Sequence, residues 1–398
     1  MEGIELSGIG RKYESEMTTY IDKKSGREVT RLTCTGENHH FYFTDNSFTL
    51  GDEEIIYLHS DHPLGDSRHR VNLFRMDLNT GEREQLTDFE SQFKRVDGFS
   101  KSRDSRIFVF VADGNLYRMD RQTGEHTLLY TAPAGFALGH PSVSFDNRYA
   151  AIAANEIVPH ETVARGENYA GFAESFFTQK VGCIIIVRMD GSGGEIVFED
   201  THWLGHVQFA PDTNEFLSYC HEGPWNYVQQ RIWVLNTLTR HVKPCFRQGR
   251  DDSVGHEFWT RDGLIFFDNR GRGHDGTITS DKTQAVVVSE DGPDAIPWIG
   301  FADKECNILR RIELPYYCNH YHANLDHTRL VADAVSDIML IDLEGGVPSI
   351  EVLCEHHTSW RWQWVHCHPC WSWSNDKIIF ASDCDAEGYP QIYMVKMK

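Results

Sequence analysis

Short apolar segments that end in a turn recur along the chain. The clearest copy covers residues 72–82, and residues 115–125 repeat its order of apolar, basic and turn positions. Weaker copies end near five further positions, which makes seven in all: Asp190, Asn236, Ser289, Asp342 and Lys396. Apolar runs of this length bounded by turn residues are typical of β-strands.

A second pattern recurs as often. It consists of a Phe- or Trp-containing segment, a turn residue and an apolar run such as residues 107–110 or 378–380. Its turn positions are again seven: Asp52, Asp104, Asp146, Asp212, Asp262, Asp326 and Asp376. Two patterns with the same count indicate one unit of several short strands that is repeated seven times.

The repeat predicts an all-β fold, a seven-bladed β-propeller that forms a single domain over residues 1–398. Convincing amphipathic helices are scarce, and a period of about 50 residues is typical of propeller blades. Residues 20–33 have the pattern of an outer hairpin, and residues 393–396 that of an inner strand. We therefore predict that an N-terminal strand pairs with the C-terminal blade, which closes the ring and covers two strand edges. A pair of β-sandwiches is the alternative.

Charge and composition exclude several classes of function. With 38 basic against 59 acidic residues the net charge is −21, so nucleic-acid binding is not expected. No stretch approaches the roughly 18 apolar residues of a membrane span, and residues 1–15 contain no apolar segment typical of a signal peptide. The ten scattered cysteines indicate free thiols, and we expect a cytoplasmic protein. An anionic substrate would need a local cluster of arginine, histidine or metal.

Two H-x-H pairs among the 21 histidines are the strongest candidates for a metal site. His366 and His368 lie on a predicted strand or at its end, where side chains two positions apart point to the same face. His320 and His322 form the second pair. Imidazoles suit manganese, iron, zinc, nickel or copper. One such pair often arises by chance, so the prediction depends on two pairs in successive blades, whose inner strands converge on one axis.

Other candidate residues are open to two interpretations. His206, His221 and His256 each lie beside a predicted strand, where a histidine more often hydrogen-bonds between strands than it contacts a ligand. Arg231 lies inside an apolar strand, so it either pairs with a carboxylate of the fold or faces an anionic ligand. The chain has no G-x-S-x-G elbow, P-loop or dinucleotide-binding glycine motif. Its many acidic residues leave glycoside hydrolysis open.

Several segments together resemble the oligogalacturonate lyases, intracellular seven-bladed propellers that degrade pectin oligomers. The matching segments keep the family's order: residues 29–33, 203–206, 220–224, 231–233, 256–259, 318–320 and 363–369. The resemblance is specific because no single motif carries it. Two departures are Cys367, where the family tends to have proline, and residues 267–273, which do not look typical of the family.

The resemblance implies a role for each matching residue. The family's metal site falls on three histidines and a glutamine: His320, Gln363, His366 and His368. His256 is the implied base and Arg231 the arginine of the channel. His39 is expected to touch substrate, and we assign His206 and His221, in two further matching segments, to the same role. Manganese is the expected metal, because positions left open for oxygen ligands favour it.

The resemblance therefore implies an oligogalacturonate lyase. It would cleave di- or trigalacturonate by metal-assisted β-elimination to 4,5-unsaturated products, with the acidic oligosaccharide as its partner and neither nucleic acid nor membrane. The oligomeric state is left open. Three alternatives remain: a propeller lyase for a different uronate, a glycoside hydrolase and a non-catalytic interaction scaffold.

Overall fold

The computed structural model describes residues 8–64, 69–158, 171–271, 274–278, 296–315 and 318–397. The first ten strands in chain order are β1 (Lys12–Tyr13), β2 (Thr18–Ile21), β3 (Glu28–Arg31), β4 (Glu37–His40), β5 (Glu54–Ser60), β6 (Asn72–Asp77), β7 (Arg83–Gln85), β8 (Val96–Lys101), β9 (Ile107–Ala112) and β10 (Asn115–Asp120). The next ten are β11 (His126–Thr131), β12 (Phe136–Val143), β13 (Tyr149–Glu156), β14 (Gly182–Arg188), β15 (Gly194–Asp200), β16 (Leu204–Phe209), β17 (Phe216–His221), β18 (Ile232–Asn236), β19 (Val242–Pro244) and β20 (Val254–Trp259). The last ten are β21 (Ile265–Asn269), β22 (Trp298–Ala302), β23 (Ile308–Glu313), β24 (His320–Ala323), β25 (Arg329–Asp333), β26 (Asp337–Asp342), β27 (Ser349–Glu355), β28 (Cys370–Trp371), β29 (Lys377–Ser382) and β30 (Gln391–Lys396).

These strands form seven antiparallel sheets, and the fold is the predicted seven-bladed β-propeller. Blades 1 to 6 begin with β4, β8, β12, β16, β20 and β24, and each continues outward through the next three strands. Strand β1 adds a fifth strand to blade 1. First strands of neighbouring blades contact one another, as β8 does β12 and β12 does β16, so they surround the centre.

Blade 7 combines strands from both ends of the described chain. Its order is β2-β3-β30-β29-β28, and Val29 and Thr30 of β3 lie opposite Val395 and Met394 of β30. Val29 is fully buried, in a cluster that also contains Val331 of blade 6. The hairpin β2–β3 thus supplies the outer strands of the blade that lies between blades 6 and 1.

The core lies between the blades. Each blade packs both of its faces against neighbours, so its middle strands are apolar on both sides, as in β9. The predicted turns are present, and at six of the seven the chain takes the left-handed conformation at or beside the Asp, with φ of 59° at Asp52 and 56° at Ser105. Such values favour turn residues over β-branched ones.

One predicted repeat copy lies elsewhere than expected. Ser289 falls outside the described residues, and the strand that pairs with β21 in blade 5 is β22, which is followed by Asp303. The placement near Ser289 was therefore wrong, because the insertion in this blade precedes its third strand rather than following it.

Helical structure is minimal in the described ranges. They contain one α-helix, α1 (Phe172–Thr178), and one short 3-10 helix, Gln363–Val365. No helix among these residues is long and apolar enough to cross a membrane.

We predict that Val29→Asp lowers the melting temperature by roughly 5 °C or more, because it places a carboxylate in the apolar interface of the closing strand. Ile21→Asp on the same hairpin is the matched control, since Ile21 is 61% exposed. Calorimetry of both variants measures the effect. Equal melting temperatures for the two variants would contradict a stabilising role for this strand.

Candidate functional site

Two histidines reach the central channel through matching β-bulges. The register of β16 on β17 breaks between Gly205 and Gln208, and that of β20 on β21 breaks between Gly255 and Phe258. Within these breaks the chain takes a left-handed φ of 50° at His206 and 47° at His256. A bulge of this kind re-aims a side chain, and here it directs two imidazoles into one cavity.

The cavity has a volume of about 200 Å³, and its lining comes from blades 1, 4, 5 and 6, from the helix inserted in blade 3 and from the segment before blade 7. Its lining residues are Tyr42, Phe172, Trp203, His206, Glu222, Trp225, Arg231, His256, Gly276, His320, Gln363 and His368. Six of the residues that were assigned site roles from the sequence line it together: His206, Arg231, His256, His320, Gln363 and His368.

Three imidazoles form a possible metal site beside this cavity. Ring nitrogens of His320, His366 and His368 all lie within 4.8 Å of one another. His366 is 1% exposed, and neither of its ring nitrogens has a hydrogen-bond partner in the described structure. Buried polar atoms without a partner are costly, so a ligand for these nitrogens is expected. Three neutral imidazoles that converge in this way fit a divalent metal ion.

Asp333 fixes the orientation of His320. Its carboxylate lies 2.9 Å from Nδ1 of His320 and also accepts the backbone N–H of that residue at 2.6 Å. Nε2 of His320 is then left to face the other two imidazoles. Burial raises the pKa of Asp333 to about 7. A carboxylate behind a histidine is the usual support for a metal-binding imidazole.

The pair His366 and His368 does not lie on a strand, contrary to the expectation from the sequence. It follows the 3-10 helix of Gln363–Val365, and β28 begins only at Cys370. A left-handed φ of 44° at His368 turns the chain there, and its ring centroid lies 4.2 Å from that of His320. A turn at His368, and not the alternation of side chains along a strand, therefore brings the His368 ring next to that of His320.

His322 does not join the three imidazoles. Its Nδ1 accepts the backbone N–H of Trp371 at 3.1 Å, and its ring stacks on Phe258. It lines a different cavity, further along the channel.

His256 lies in a strongly perturbed environment. Its Nδ1 is 3.3 Å from both Asp268 Oδ1 and Arg270 Nη2, and the Trp225 ring packs edge-on with centroids 4.9 Å apart. Burial lowers its pKa well below the usual range, and the positive charges of Arg270 and Arg231 lower it further. The imidazole is therefore neutral near pH 7 and able to accept a proton.

Arg231 pairs with carboxylates of the fold and also lines the cavity. Its Nη1 lies 3.0 Å from Glu222 Oε1, and its Nε lies 3.6 Å from Glu257 Oε2. Burial alone would raise the pKa of Glu222, but Arg231 and His206 lower it overall. His206 in turn lies 3.2 Å from Glu222 and 3.3 Å from Glu257. Its pKa is raised, because these carboxylates outweigh the effect of burial.

Arg270 was not expected from the sequence. This residue follows β21, within the stretch 267–273 that did not look typical of the family, and it is 3% exposed. It donates to the carbonyl oxygens of Asn319 at 2.7 Å and Thr277 at 3.0 Å. The one sequence feature that could have indicated a buried arginine here is Asp268, two positions earlier, whose carboxylate lies 3.3 Å from Arg270.

Two residues expected to touch substrate lie outside the cavity. His39 Nε2 contacts Glu37 Oε1 at 2.5 Å. The ring of His221 stacks on His202 with centroids 4.0 Å apart, and its Nε2 is 3.2 Å from Asp200. Neither residue lines the cavity.

Trp225 links the catalytic candidates. The guanidinium carbons of Arg231 and Arg270 lie 5.6 and 4.9 Å from its ring centroids. A Cβ at Gly255 would fall 1.9 Å from the indole, and a Cβ at Gly276 would fall 2.4 Å from it. Glycine at both positions is what lets the indole lie between them.

Sequence comparisons with known proteins all lead to one family. The family model described as oligogalacturonate lyase matches residues 8–279. An oligogalacturonide lyase of Pectobacterium atrosepticum is 24% identical over 414 residues, and an oligogalacturonate lyase of Dickeya dadantii is 25% identical over 417. Each alignment covers 98% of both proteins.

Solved structures share the fold. An oligogalacturonate lyase in complex with manganese matches with a TM-score of 0.81 at 23% identity and 98% coverage of both chains. An oligogalacturonate lyase from Vibrio parahaemolyticus gives a TM-score of 0.80 at 23% identity, over 98% of this chain and 99% of the other.

We predict that Gly255→Ala displaces Trp225 and lowers both stability, by about 1–3 kcal/mol, and turnover of substrate. Gly139→Ala is the matched control: Gly139 lies in the bulge of β12, and a Cβ there would meet its nearest atom at an ordinary 3.6 Å. Thermal unfolding and tryptophan fluorescence report the displacement. Equal effects of the two substitutions would contradict the packing role of Gly255.

Proposed function

Because the chain belongs to the oligogalacturonate lyase family, we propose that it cleaves di- and trigalacturonate by β-elimination, with His256 as the base and Arg231 as the carboxylate-binding residue. The observation that carries the proposal is the common cavity. A neutral, buried imidazole, an arginine and a possible metal site of three histidines line or adjoin the same 200 Å³ space. The ring centroids of His256 and His320 are 4.9 Å apart, so one substrate can reach both.

The proposed metal ligands are His320, His366, His368 and Gln363. Gln363 lines the cavity next to His320 and His368 and offers an amide oxygen. We propose manganese, the metal with which the first of the two structural relatives forms its complex. When bound there, a divalent ion supplies Lewis-acid neutralisation of the substrate carboxylate, which acidifies the neighbouring C5 proton.

In the proposed β-elimination, the chain's own residues move one proton and no atom is added to the substrate. His256 takes the C5 proton, and the electrons of that C–H bond form the C4–C5 double bond as the C4–O bond breaks. The proton returns to the leaving oxygen from His256 or through water. No water is consumed, and the products are a 4,5-unsaturated uronate and a shortened oligomer.

We assign to Arg231 the stabilisation of the negative charge that develops on the substrate in the transition state. Its side chain is 4% exposed, and Glu222 and Glu257 fix it from one side. A guanidinium held in this way binds carboxylate with little reorganisation, which is the condition for stabilising an enolate-like transition state.

We also propose that residues 1–398 work as one propeller domain in the cytoplasm. All ten cysteines are free thiols, which supports a reducing compartment.

The deciding experiment is mass spectrometry of trigalacturonate digested with manganese and, separately, with chelator. Elimination predicts product masses that sum to the mass of the substrate, whereas hydrolysis adds about 18 Da, one water, to that sum. Cleavage should depend on the metal. No cleavage of trigalacturonate, together with cleavage of another uronate oligomer, would assign the lyase to that other substrate.

We predict that His366→Ala lowers metal affinity by roughly 10- to 100-fold, because it removes one of the converging imidazoles. Elemental analysis after dialysis measures bound manganese. His322→Gln, in the other H-x-H pair, should keep full metal content, and so should His256→Gln, although the latter loses turnover. Metal retained at full stoichiometry by His366→Ala would remove His366 from the site.

A further inference from the structure

A second cavity lies at the opposite ends of the inner strands. The first cavity takes residues near strand starts, such as His320 of β24, whereas the second takes residues at or after strand ends, such as Lys101 of β8 and Arg261 after β20. It has a volume of about 290 Å³ and receives residues from all seven blades.

Two consecutive aromatic residues separate the cavities. Tyr42 lines the first and Phe43 lines the second, and their ring centroids are 4.3 Å apart. The Phe43 ring also lies 6.2 Å from that of His320. The second cavity is therefore a space of its own, next to the proposed metal ligands but outside the site described above.

A buried lysine contributes one uncompensated charge to this cavity. Lys101 is 7% exposed, and its ammonium donates to the neutral hydroxyl of Ser105 at 2.9 Å. No carboxylate oxygen of the described residues lies within 4 Å of this ammonium. Burial lowers the pKa of Lys101 to about 8, although Asp45 opposes that shift. The charged form therefore lacks a partner that would offset its loss of hydration.

Two arginines add to this charge. Arg261 donates to the carbonyl oxygens of Trp371, Ser372 and Trp373 at 2.8–3.0 Å, and its guanidinium lies 4.5 Å from the Trp373 ring centroid. Arg103 lies 5.0 Å from the same centroid. Neither arginine forms an ion pair with a carboxylate of the described residues.

Among the described residues, Asp45 is the one carboxylate of the lining, and its oxygens are already engaged. They accept the Ser100 hydroxyl at 2.5 Å and contact His140 Nε2 at 3.1 Å. The lining thus keeps an excess of positive charge within a chain of net charge −21. Such an excess in a half-enclosed cavity attracts an anion.

We propose that this cavity binds a small sugar acid, with its carboxylate between Lys101 and Arg103 and its ring against the apolar wall that contains Trp259. The choice of a sugar acid among organic anions rests on the proposed function, since such molecules are the substrate and product. The polar and apolar parts of the lining match a molecule with one charged end and an uncharged ring.

The test is calorimetric titration of the metal-stripped full-length protein with galacturonate, galactose and inorganic phosphate. Galacturonate should bind, and Arg103→Gln should weaken that binding at least tenfold, by about 1.4 kcal/mol. Lys101→Met should weaken it as well. Arg106→Gln is the control, because Arg106 is exposed and faces Asp120 outside the cavity, at 3.4 Å. Galactose should not bind, since it lacks the carboxylate.

The outcomes separate this inference from the proposed catalysis, because binding is measured without turnover. Galacturonate binding that neither Arg103→Gln nor Lys101→Met weakens would overturn the inference, since the ligand would then lie in the first cavity. No galacturonate binding at tens of millimolar would do the same. Binding of phosphate alone would overturn the sugar-acid assignment. The digestion of trigalacturonate decides the proposed function independently of all three.

Discussion

The pairing of β3 with β30 is the interaction on which the rest of the structure depends. Each blade packs only against its two neighbours, so an open ring would leave apolar sheet faces in water. Closure also brings blade 1 next to blade 7, and there the Tyr42 ring packs at 4.9 Å against His368. The proposed metal ligands come from blade 6 and from the segment before blade 7, so their mutual distances are set by the ring as a whole.

Within the ring, buried charges balance one another in a chain of contacts. Arg231 lies between Glu222 and Glu257, which also hold His206, while Arg270 and Asp268 flank His256. Removing one partner of a buried ion pair costs a few kcal/mol, because the other charge is left uncompensated. His206 and His256 are therefore positioned by charged groups that depend on one another, so changing one of these groups alters both the geometry and the charge around them.

Much of the fold could be predicted from the sequence, because turn and strand chemistry repeats in every blade. The seven Asp turns and the hairpin of residues 20–33 are local signals, and the structure has them where they were expected. The copy near Ser289 was misplaced because an insertion breaks the period. The family resemblance led to the cavity residues, since six of them converge. Arg270 was missed because its role comes from Cys318, Asn319 and His256, which are distant in sequence.

The strand geometry of the site could not be predicted either. Residues His206, His256 and His368 all take a left-handed φ, which a sequence pattern for regular strands does not include. Such backbone conformations persist only when the surrounding structure holds them. In a regular strand, successive side chains point to opposite faces. The bulges in β16 and β20 break this alternation and direct His206 and His256, of adjacent blades, into the same cavity.

The position of Phe43 between the two cavities limits the direction in which a bound ligand can extend. Tyr42 lines one cavity and Phe43 the other, and their rings pack 4.3 Å apart, so a ligand in the first cavity meets packed rings on the side of the second. A ligand of more than one sugar unit would therefore extend from the first cavity away from Phe43, toward the face of the ring where the inner strands begin.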